Sequence, residues 1–204
     1  PEDKIVVQPP VYYPFFEIAQ KHKREVLYNK LILNEDFRYE IDFNDLEAKL
    51  SDEKTKLFIL CNPHNPSGRV WSREELTKIG DLCIKHNVII ISDDIHSDLL
   101  LFGSRYTPIA SIREDIANQT VTCIAPSKTF NLAGLQSSLV LIPNDSLKRR
   151  YHDVQQLFGL LSINTIGADA MEAAYSYGEK WLDELLPYLE ENVVIIEDYL
   201  KEHL

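Results

Sequence analysis

The sequence predicts an α/β protein, with helices on both faces of a mostly parallel sheet in three layers. Apolar, β-branched runs alternate along the chain with segments of helical period, which is the pattern of a doubly wound sheet. The run Lys56–Cys61 is almost entirely apolar, as expected of a parallel strand covered on both faces. A chain of 204 residues can bury one good core, so a single domain is predicted.

The strands are predicted from apolar runs that end at turn residues. The first run stops at Pro9-Pro10, and the run Val88–Ser92 ends in the acidic pair Asp93-Asp94. Every strand from the third onward is expected to be buried. In chain order the predicted strands are Lys4–Gln8, Glu25–Tyr28, Lys56–Cys61, Val88–Ser92, Thr120–Ile124 and Ser138–Ile142.

The helices are predicted from apolar periodicity together with capping residues. Ser72 with Glu75 and Asn44 with Glu47 each form a capping-box pattern, and Asn87 is a reasonable stop for the helix that begins after Ser72. The apolar face of that helix comprises Leu76, Ile79, Gly80 and Cys83.

Beyond Asn144 the chain is predicted to form three helices. Asn144 caps a helix that runs to about Phe158, and a second helix, Thr165–Tyr177, ends at Gly178. A long helical pattern, Trp181–Leu204, contains Pro187 near its start, where a kink is expected, and reaches the last residue with no stop signal.

Composition narrows the classes of function. The hydrophobic fraction of 45% and the charged fraction of 26% are typical of a globular protein. A net charge of −11 argues against a nucleic-acid or anionic-membrane partner, and the sequence shows no apolar stretch of membrane length and no signal peptide. The three cysteines, Cys61, Cys83 and Cys123, have no CxxC spacing, which favours reduced, buried thiols in a cytoplasmic protein.

Three polar motifs follow predicted strands directly. Cys61–Gly68 is a double Asn-Pro turn, Ser92–Asp98 carries three aspartates and His96, and Ala125–Gln136 contains Lys128. Each motif also has a non-functional interpretation. The first could be a structural turn, the second a solvated acidic loop, and the third a loop with a solvated lysine. However, ligands of doubly wound sheets bind beyond the carboxyl ends of the strands, where all three motifs are expected to lie.

Lys128 is the residue with the most specific chemistry. It lies between two runs predicted to be buried strands, and desolvation favours the neutral amine that attacks carbonyl groups. A metal site built from Asp93, Asp94, His96 and Asp98 is the competing hypothesis for the acidic loop. No other histidine or cysteine cluster with ligand spacing supports it.

Taken together, the three motifs resemble one family. Asn-Pro-x-Asn-Pro-Ser-Gly, then Ser-Asp-Asp-Ile-His, then Ser-Lys-Thr-Phe-Asn-Leu-Ala-Gly-Leu occur in the order and spacing typical of pyridoxal-phosphate-dependent enzymes of fold type I. The branch that the chain resembles most is the cystathionine β-lyase-like C–S lyases of the class I/II aminotransferase group. The resemblance spans essentially all 204 residues.

The resemblance implies roles for the matching residues. Lys128 would bind the aldehyde of pyridoxal 5'-phosphate and later remove the Cα proton of an amino-acid substrate. Asp93 would pair with the pyridine nitrogen, and Asn65 would hydrogen-bond the ring 3-oxygen. The resemblance also implies three further contacts with the cofactor: His96 near the same oxygen, Tyr12 (or its neighbour Tyr13) stacked on the ring, and Ser127 at the phosphate.

The chain departs from the family pattern at two positions and in length. Ala125 and Gln136 stand where many relatives have a phosphate-binding serine and an arginine. Relatives are nearly twice as long, so residues 1–204 are expected to be the central part of a large domain. An N-terminal phosphate-loop segment and a C-terminal small domain are then implied to lie outside them. The resemblance also implies a homodimer.

The predicted function is therefore a pyridoxal-phosphate-dependent C–S β-lyase that converts cysteine thioethers into a thiol, pyruvate and ammonia. An aminotransferase using the same site is the first alternative. The second is a non-catalytic fragment of such an enzyme, and a carboxylate-bound metal hydrolase ranks last because it leaves Lys128 and Asn65 unexplained.

Overall fold

The computed structural model describes residues 2–160 and 162–204. Its main feature is a six-stranded sheet with the order β2-β1-β5-β6-β7-β8, accompanied by the small antiparallel hairpin β3-β4. All neighbouring strands of the main sheet are parallel except β7 and β8, which are antiparallel. The strands are β1 (Lys4–Val7), β2 (Glu25–Tyr28), β3 (Ile32–Leu33), β4 (Tyr39–Glu40), β5 (Thr55–Cys61), β6 (Ile89–Asp93), β7 (Thr120–Ile124) and β8 (Leu139–Leu141).

Helices cover the sheet and then continue into a helical C-terminal third. Two short 3-10 turns, at Ile109–Ser111 and Ala133–Leu135, supplement them. The helices are α1 (Pro14–Lys21), α2 (Phe43–Leu50), α3 (Arg73–Lys85), α4 (Glu114–Asn118), α5 (Pro126–Thr129), α6 (Asp145–Leu157), α7 (Thr165–Tyr177) and α8 (Glu179–His203).

The three-layer prediction is confirmed by the way successive residues of β1 divide between two cores. Val6 belongs to the larger apolar cluster, together with residues of α2 and α3 such as Leu46 and Leu76. Ile5 and Val7 belong to a smaller cluster that includes Ala19 of α1. Because successive side chains of a strand point to opposite faces, helices lie on both sides of the sheet.

Helix α3 follows its sequence signals closely. The Glu75 backbone N–H donates to Ser72 Oγ at 3.1 Å, and the Ser72 N–H donates to Glu75 Oε2 at 2.7 Å, which completes the predicted capping box. The predicted face is buried. Asn87 has a φ of 53°, the left-handed conformation that ends a helix.

Two local predictions were wrong. Helix α2 begins after Asp42, whose Oδ1 accepts from the Asp45 N–H at 2.9 Å, so Asn44 lies inside the helix and is not its cap. Strand β8 is the last strand of the sheet, and its Leu139 and Leu141 are 38% and 51% exposed, so it is not a buried strand.

The cysteines and the C-terminal helices complete the description. Cys61 and Cys83 are buried free thiols as predicted, whereas Cys123 is only partly buried. Helix α8 begins two residues before the predicted Trp181 and continues through Pro187. Within residues 2–160 and 162–204, no helix is both long enough and apolar enough to cross a membrane.

Candidate active site

The predicted site residues lie at one edge of the sheet because four neighbouring parallel strands end there. Asp93 is the last residue of β6, and its register partners are Cys61 at the end of β5 and Cys123 in β7. Neighbouring strands are separated by about 4.8 Å, so the loops that follow β5, β6 and β7 start close together. Those loops carry Asn65, His96 and Lys128, and the loop after β1 carries Tyr12.

The loop after β5 is fixed by buried polar side chains. Asn62 donates through Nδ2 to the Thr107 carbonyl oxygen at 3.1 Å and accepts from the Trp71 N–H at 3.4 Å. His64 is buried, and its Nδ1 lies 2.8 Å from Ser67 Oγ. Burial lowers the pKa of His64 to about 4, so its ring is neutral at pH 7. Asn65 lies in the turn that these side chains fix, and it is half-buried.

The three aspartates after β6 have three different environments. Asp93, the last residue of β6, is half-buried, and the charge of Lys128 acts on its carboxyl group. Asp94 is fully buried and accepts from Ser92 Oγ at 2.6 Å and from the Tyr106 hydroxyl. Asp98 accepts from Thr129 Oγ1 at 2.8 Å. The loop is therefore not the solvated acidic loop of the non-functional interpretation.

Burial and Lys128 act in opposite directions on Asp93. Burial raises the pKa of the Asp93 carboxyl, whereas a hydrogen bond from the Ile95 backbone and the positive charge of Lys128 lower it. The pKa of His96 is lowered by burial and by Lys128, so its imidazole is neutral at pH 7. Burial raises the pKa of Asp94 to about 6.

Lys128 is positioned by the short helix α5. Pro126 begins this helix and is buried, Thr129 is fully buried, and Lys128 between them is exposed. The prediction of a lysine buried between two strands is therefore wrong. The physical reason is that Lys128 lies on the short helix α5 and not on either strand, and this helix buries Pro126 and Thr129 while Lys128 faces outward.

The remaining predicted residues lie on adjoining loops. Tyr12 is 43% exposed, and its ring meets Phe15 edge-on with centroids 5.6 Å apart. Ser127 is half-buried in the first turn of α5. Ala125 is the buried residue before this helix, and Gln136 is exposed with a φ of 50°. The structure thus brings the loops with Asn65, His96 and Lys128 to one edge of the sheet, and the loop with Tyr12 follows β1 at the same edge.

A cleft of about 450 Å³ opens at this edge, and two of the predicted site residues, Asn65 and His96, line it. It is bounded by the Asn-Pro turn on one side and by the segment after His96 on the other. Its lining is mostly apolar, with Asn65, His96 and Ser104 among its polar groups, and includes Val70, Leu99, Leu100, Leu101 and Phe102.

A larger cavity of about 680 Å³ lies at the opposite edge of the sheet. Residues at the amino ends of β1, β5 and β6 line it, including Lys4, Lys56 and Ile89. None of the predicted site residues lines it. We assign the smaller cleft to the site because ligands of doubly wound sheets bind at the carboxyl ends of the strands.

Two contacts at this edge were missed by sequence reasoning. One signal was present in the sequence: successive side chains of a strand point to opposite faces of the sheet, so Asp93 and Asp94 could have been assigned to different environments. By contrast, the bonds from Tyr106 to Asp94 and from Thr129 to Asp98 join residues 12 and 31 positions apart, and no local pattern signals them. In the described part of the chain, no group of three or more His, Cys, Asp or Glu residues could hold a metal ion.

Known proteins share this architecture. Cystathionine beta-lyase PatB of Bacillus subtilis (strain 168) is 52% identical over 204 residues, which are 100% of this chain and 52% of PatB. The crystal structure of cystalysin from Treponema denticola, which contains a pyridoxal 5'-phosphate cofactor, is 36% identical with a TM-score of 0.95. The match covers 98% of this chain and 51% of cystalysin. The PLP-bound C-S lyase from Staphylococcus hominis is 37% identical with a TM-score of 0.91, over 98% and 50% of the two chains.

The chain therefore spans about half the length of the relatives it matches. The family model for class I and II aminotransferases matches residues 1–203. Since this match covers nearly the whole chain, the protein belongs to the class I and II aminotransferase family.

Proposed function

We propose that the protein is a pyridoxal-phosphate-dependent C–S β-lyase of the cystathionine β-lyase type. It would convert a cysteine thioether and water into a thiol, pyruvate and ammonia. The observation that carries the proposal is that the strand end with Asp93 and the loops with His96 and Lys128 meet at the carboxyl edge of the sheet, where, beside the effect of burial, the charge of Lys128 acts to lower the pKa of both Asp93 and His96. The likeness to PatB supports a lyase.

The residues present fit pyridoxal phosphate. Its aldehyde requires an amine, which Lys128 provides on the exposed side of α5. Its pyridine nitrogen requires an anionic partner, and Asp93 is a half-buried carboxylate at a strand end. Asn65 and the neutral His96 can hydrogen-bond the ring 3-oxygen, and Tyr12 presents an exposed aromatic face for stacking. Ser127 would contact the phosphate.

The bound cofactor supplies an electron sink for the bond electrons released at the substrate Cα. Asp93 would hold a proton on the ring nitrogen, and that positive charge would in turn favour the ionised form of a carboxyl that burial penalises. Lys128 Nζ would accept the Cα proton as a general base. The Cβ–S bond then breaks, and the sulfur leaves with the bonding electrons as a thiolate.

The chain's relation to a whole enzyme is also a proposal. Residues 1–204 would form the central part of a large domain, and an N-terminal phosphate-loop segment and a C-terminal small domain would complete it. Ala125 and Gln136 provide neither the hydroxyl nor the positive charge that many relatives offer to the phosphate. Other groups must therefore bind it. A homodimer and a cytoplasmic location stay predictions.

An aminotransferase is the second candidate, because the family model that matches the chain is that of class I and II aminotransferases. The two reactions share removal of the Cα proton by Lys128. They differ in whether a thiol and pyruvate are released without an added keto acid. Incubation of the full-length protein with an S-alkyl cysteine distinguishes them, because only the lyase releases both products under these conditions.

The proposal is tested by trapping the cofactor. The full-length protein is mixed with pyridoxal phosphate, reduced with borohydride and digested, and the labelled peptide is identified by mass spectrometry. We expect one pyridoxyl group on Lys128, loss of the label in Lys128→Ala, and no change in Lys180→Ala, which removes a lysine from α8. An unlabelled wild-type protein would contradict the proposal. The same experiment on the 204-residue chain shows whether these residues alone retain the cofactor.

A further inference from the structure

Helix α5 is held from two directions. At its C-terminal end, the ring of Phe130, the residue that follows the helix, packs against Tyr175 of α7 and Trp181 of α8, with centroid distances of 6.0 and 5.7 Å. On its inner side, Thr129 is fully buried and donates its hydroxyl to Asp98 at 2.8 Å. This bond connects α5 with the loop that follows β6, which also carries His96.

The bond from Thr129 controls the direction of its neighbour. Successive residues of a helix are separated by about 100° around the axis, so a Thr129 side chain fixed inward sets where Lys128 points. The helix has only four residues, Pro126–Thr129, and cannot hold its own orientation through a long ladder of backbone bonds. A rotation of α5 would therefore move the Lys128 amine relative to Asp93 and His96.

Asp98 is well placed for this task. It is half-buried in the loop after β6. Burial and then the charge of Asp98 raise the pKa of Tyr175 in α7, whereas burial and Asp94 raise the pKa of Tyr106 more than Asp98 does. Asp98 therefore lies where the β6 loop, α5 and α7 meet. Neither Asp93 nor Asp94 can replace it, because Asp93 is the last residue of β6 and accepts from the Ile95 backbone, and Asp94 is bonded to Ser92 and Tyr106.

We propose that Asp98 and Thr129 are positioning residues, which fix the rotation of α5 and thereby aim the Lys128 amine at the carbonyl group it binds. The inference rests on the proposed function of Lys128. Neither residue contacts the reacting atoms in this role. Their contribution is a fixed orientation, which matters because a misplacement of about 1 Å can slow a reaction about a hundredfold.

The test measures the rate at which Lys128 captures pyridoxal phosphate in the full-length protein. Capture joins Lys128 Nζ to the aldehyde carbon with loss of one water, and borohydride reduction followed by mass spectrometry counts the product over time. At saturating pyridoxal phosphate, we expect Thr129→Val and Asp98→Ala to slow capture about tenfold or more. Thr129→Ser and Asp98→Asn keep a hydroxyl donor and an oxygen acceptor, so they should restore most of the rate.

A matched control separates orientation from stability. Thr120 is also fully buried, and its Oγ1 donates to the Ile116 carbonyl oxygen at 2.7 Å, at the opposite end of β7. Thr120→Val should lower the unfolding midpoint and leave the capture rate unchanged. Amide hydrogen exchange in residues 127–130 should accelerate in Thr129→Val and not in Thr120→Val, which reports the orientation of α5 without cofactor.

The outcomes are distinct. A wild-type protein without a pyridoxyl label would contradict the proposed function itself. A labelled wild type with wild-type capture rates in Thr129→Val and Asp98→Ala overturns only the positioning role. Equal losses in Thr129→Ser and Thr129→Val also overturn it, since the hydroxyl would then not be the cause. If Thr129→Val does not fold, Asp98→Ala and its Asn partner decide the question, because Asp98 is only half-buried.

Discussion

The elements before Lys128 surround two apolar cores, one on each face of the sheet, whereas α6 and α8 contain no buried residue and α7 buries only Gly167. Apolar side chains are nevertheless abundant on these helices, and several are largely exposed, including Leu157, Ile166, Trp181 and Ile195. Exposed apolar surface of this extent is unusual for a self-contained domain. The comparison teaches that the sheet region is stabilised by its own packing, while the helical third obtains little stability from the described residues.

The largest expected contrast is between a core leucine and an exposed isoleucine. Leu60→Ala removes a fully buried side chain from β5 and should lower the free energy of unfolding of the 204-residue chain by about 2–5 kcal/mol. Ile195→Ala in α8 removes a side chain that is 59% exposed and should change it by less than about 0.5 kcal/mol. Equilibrium denaturation in urea measures both. Equal losses would show that the face of α8 is covered in solution.

The second contrast concerns pH. Burial raises the pKa of Asp94 to about 6, so the folded state retains a proton that the unfolded chain releases near pH 4. Stability must therefore fall as pH rises through this window, by about 3 kcal/mol for a shift of this size. Asp94→Asn should remove most of that fall, as measured by denaturation between pH 4 and 7.

An exposed aspartate provides the control for this experiment. A hydrogen bond from Arg113 lowers the pKa of Asp115, so its contribution is present above the unfolded-state pKa and is lost as pH falls. Asp115→Asn should thus alter the pH dependence with the opposite sign and by a smaller amount, because its carboxyl is exposed. A pH slope unaffected by Asp94→Asn would show that Asp94 is not the group responsible.

The third contrast concerns packing around glycines. A Cβ at Gly80 in α3 would lie 2.5 Å from Cδ1 of Ile116, a fully buried side chain of α4. Gly80→Ala should therefore destabilise the chain by about 1–3 kcal/mol, and adding Ile116→Val should recover part of the loss. Gly134→Ala meets no atom within 4 Å and should be tolerated. A neutral Gly80→Ala would show that the core near α4 is looser than the structure indicates.

Sequence reasoning succeeded where the signal was local. The capping box at Ser72, the buried run of β5 and the polar residues at the ends of β5, β6 and β7 are properties of adjacent residues, so periodicity and composition reveal them. The acidic loop after β6 was predicted as a candidate site, and its catalytic role stays a prediction; the structure shows that, beside the effect of burial, the charge of Lys128 acts to lower the pKa of Asp93 and His96.

It failed where the outcome depended on distant parts of the chain. The exposure of β8 follows from its place at the end of the sheet, and the exposure of Lys128 follows from the orientation of α5, which buries its first and last residues instead. At α2, Asp42 and Asn44 are both good caps. The observed start is held by the distant Asn29, which donates to the Asp42 carbonyl oxygen at 3.0 Å and to Asp45 Oδ2 at 2.8 Å. Local propensity cannot resolve such choices.

The smallest contrast concerns two helix caps of similar chemistry. Ser72→Ala removes a bond to the first turn of α3, which packs into the core, and should lower the global free energy of unfolding by about 1 kcal/mol. Asn164 accepts from the Gly167 N–H at 2.6 Å at the start of α7, where little is buried. Asn164→Ala should therefore accelerate amide exchange in α7 and leave the global midpoint almost unchanged, because regions with few buried contacts open locally. If the midpoint falls equally in both variants, the helical third unfolds together with the sheet, and the two regions form one cooperative unit.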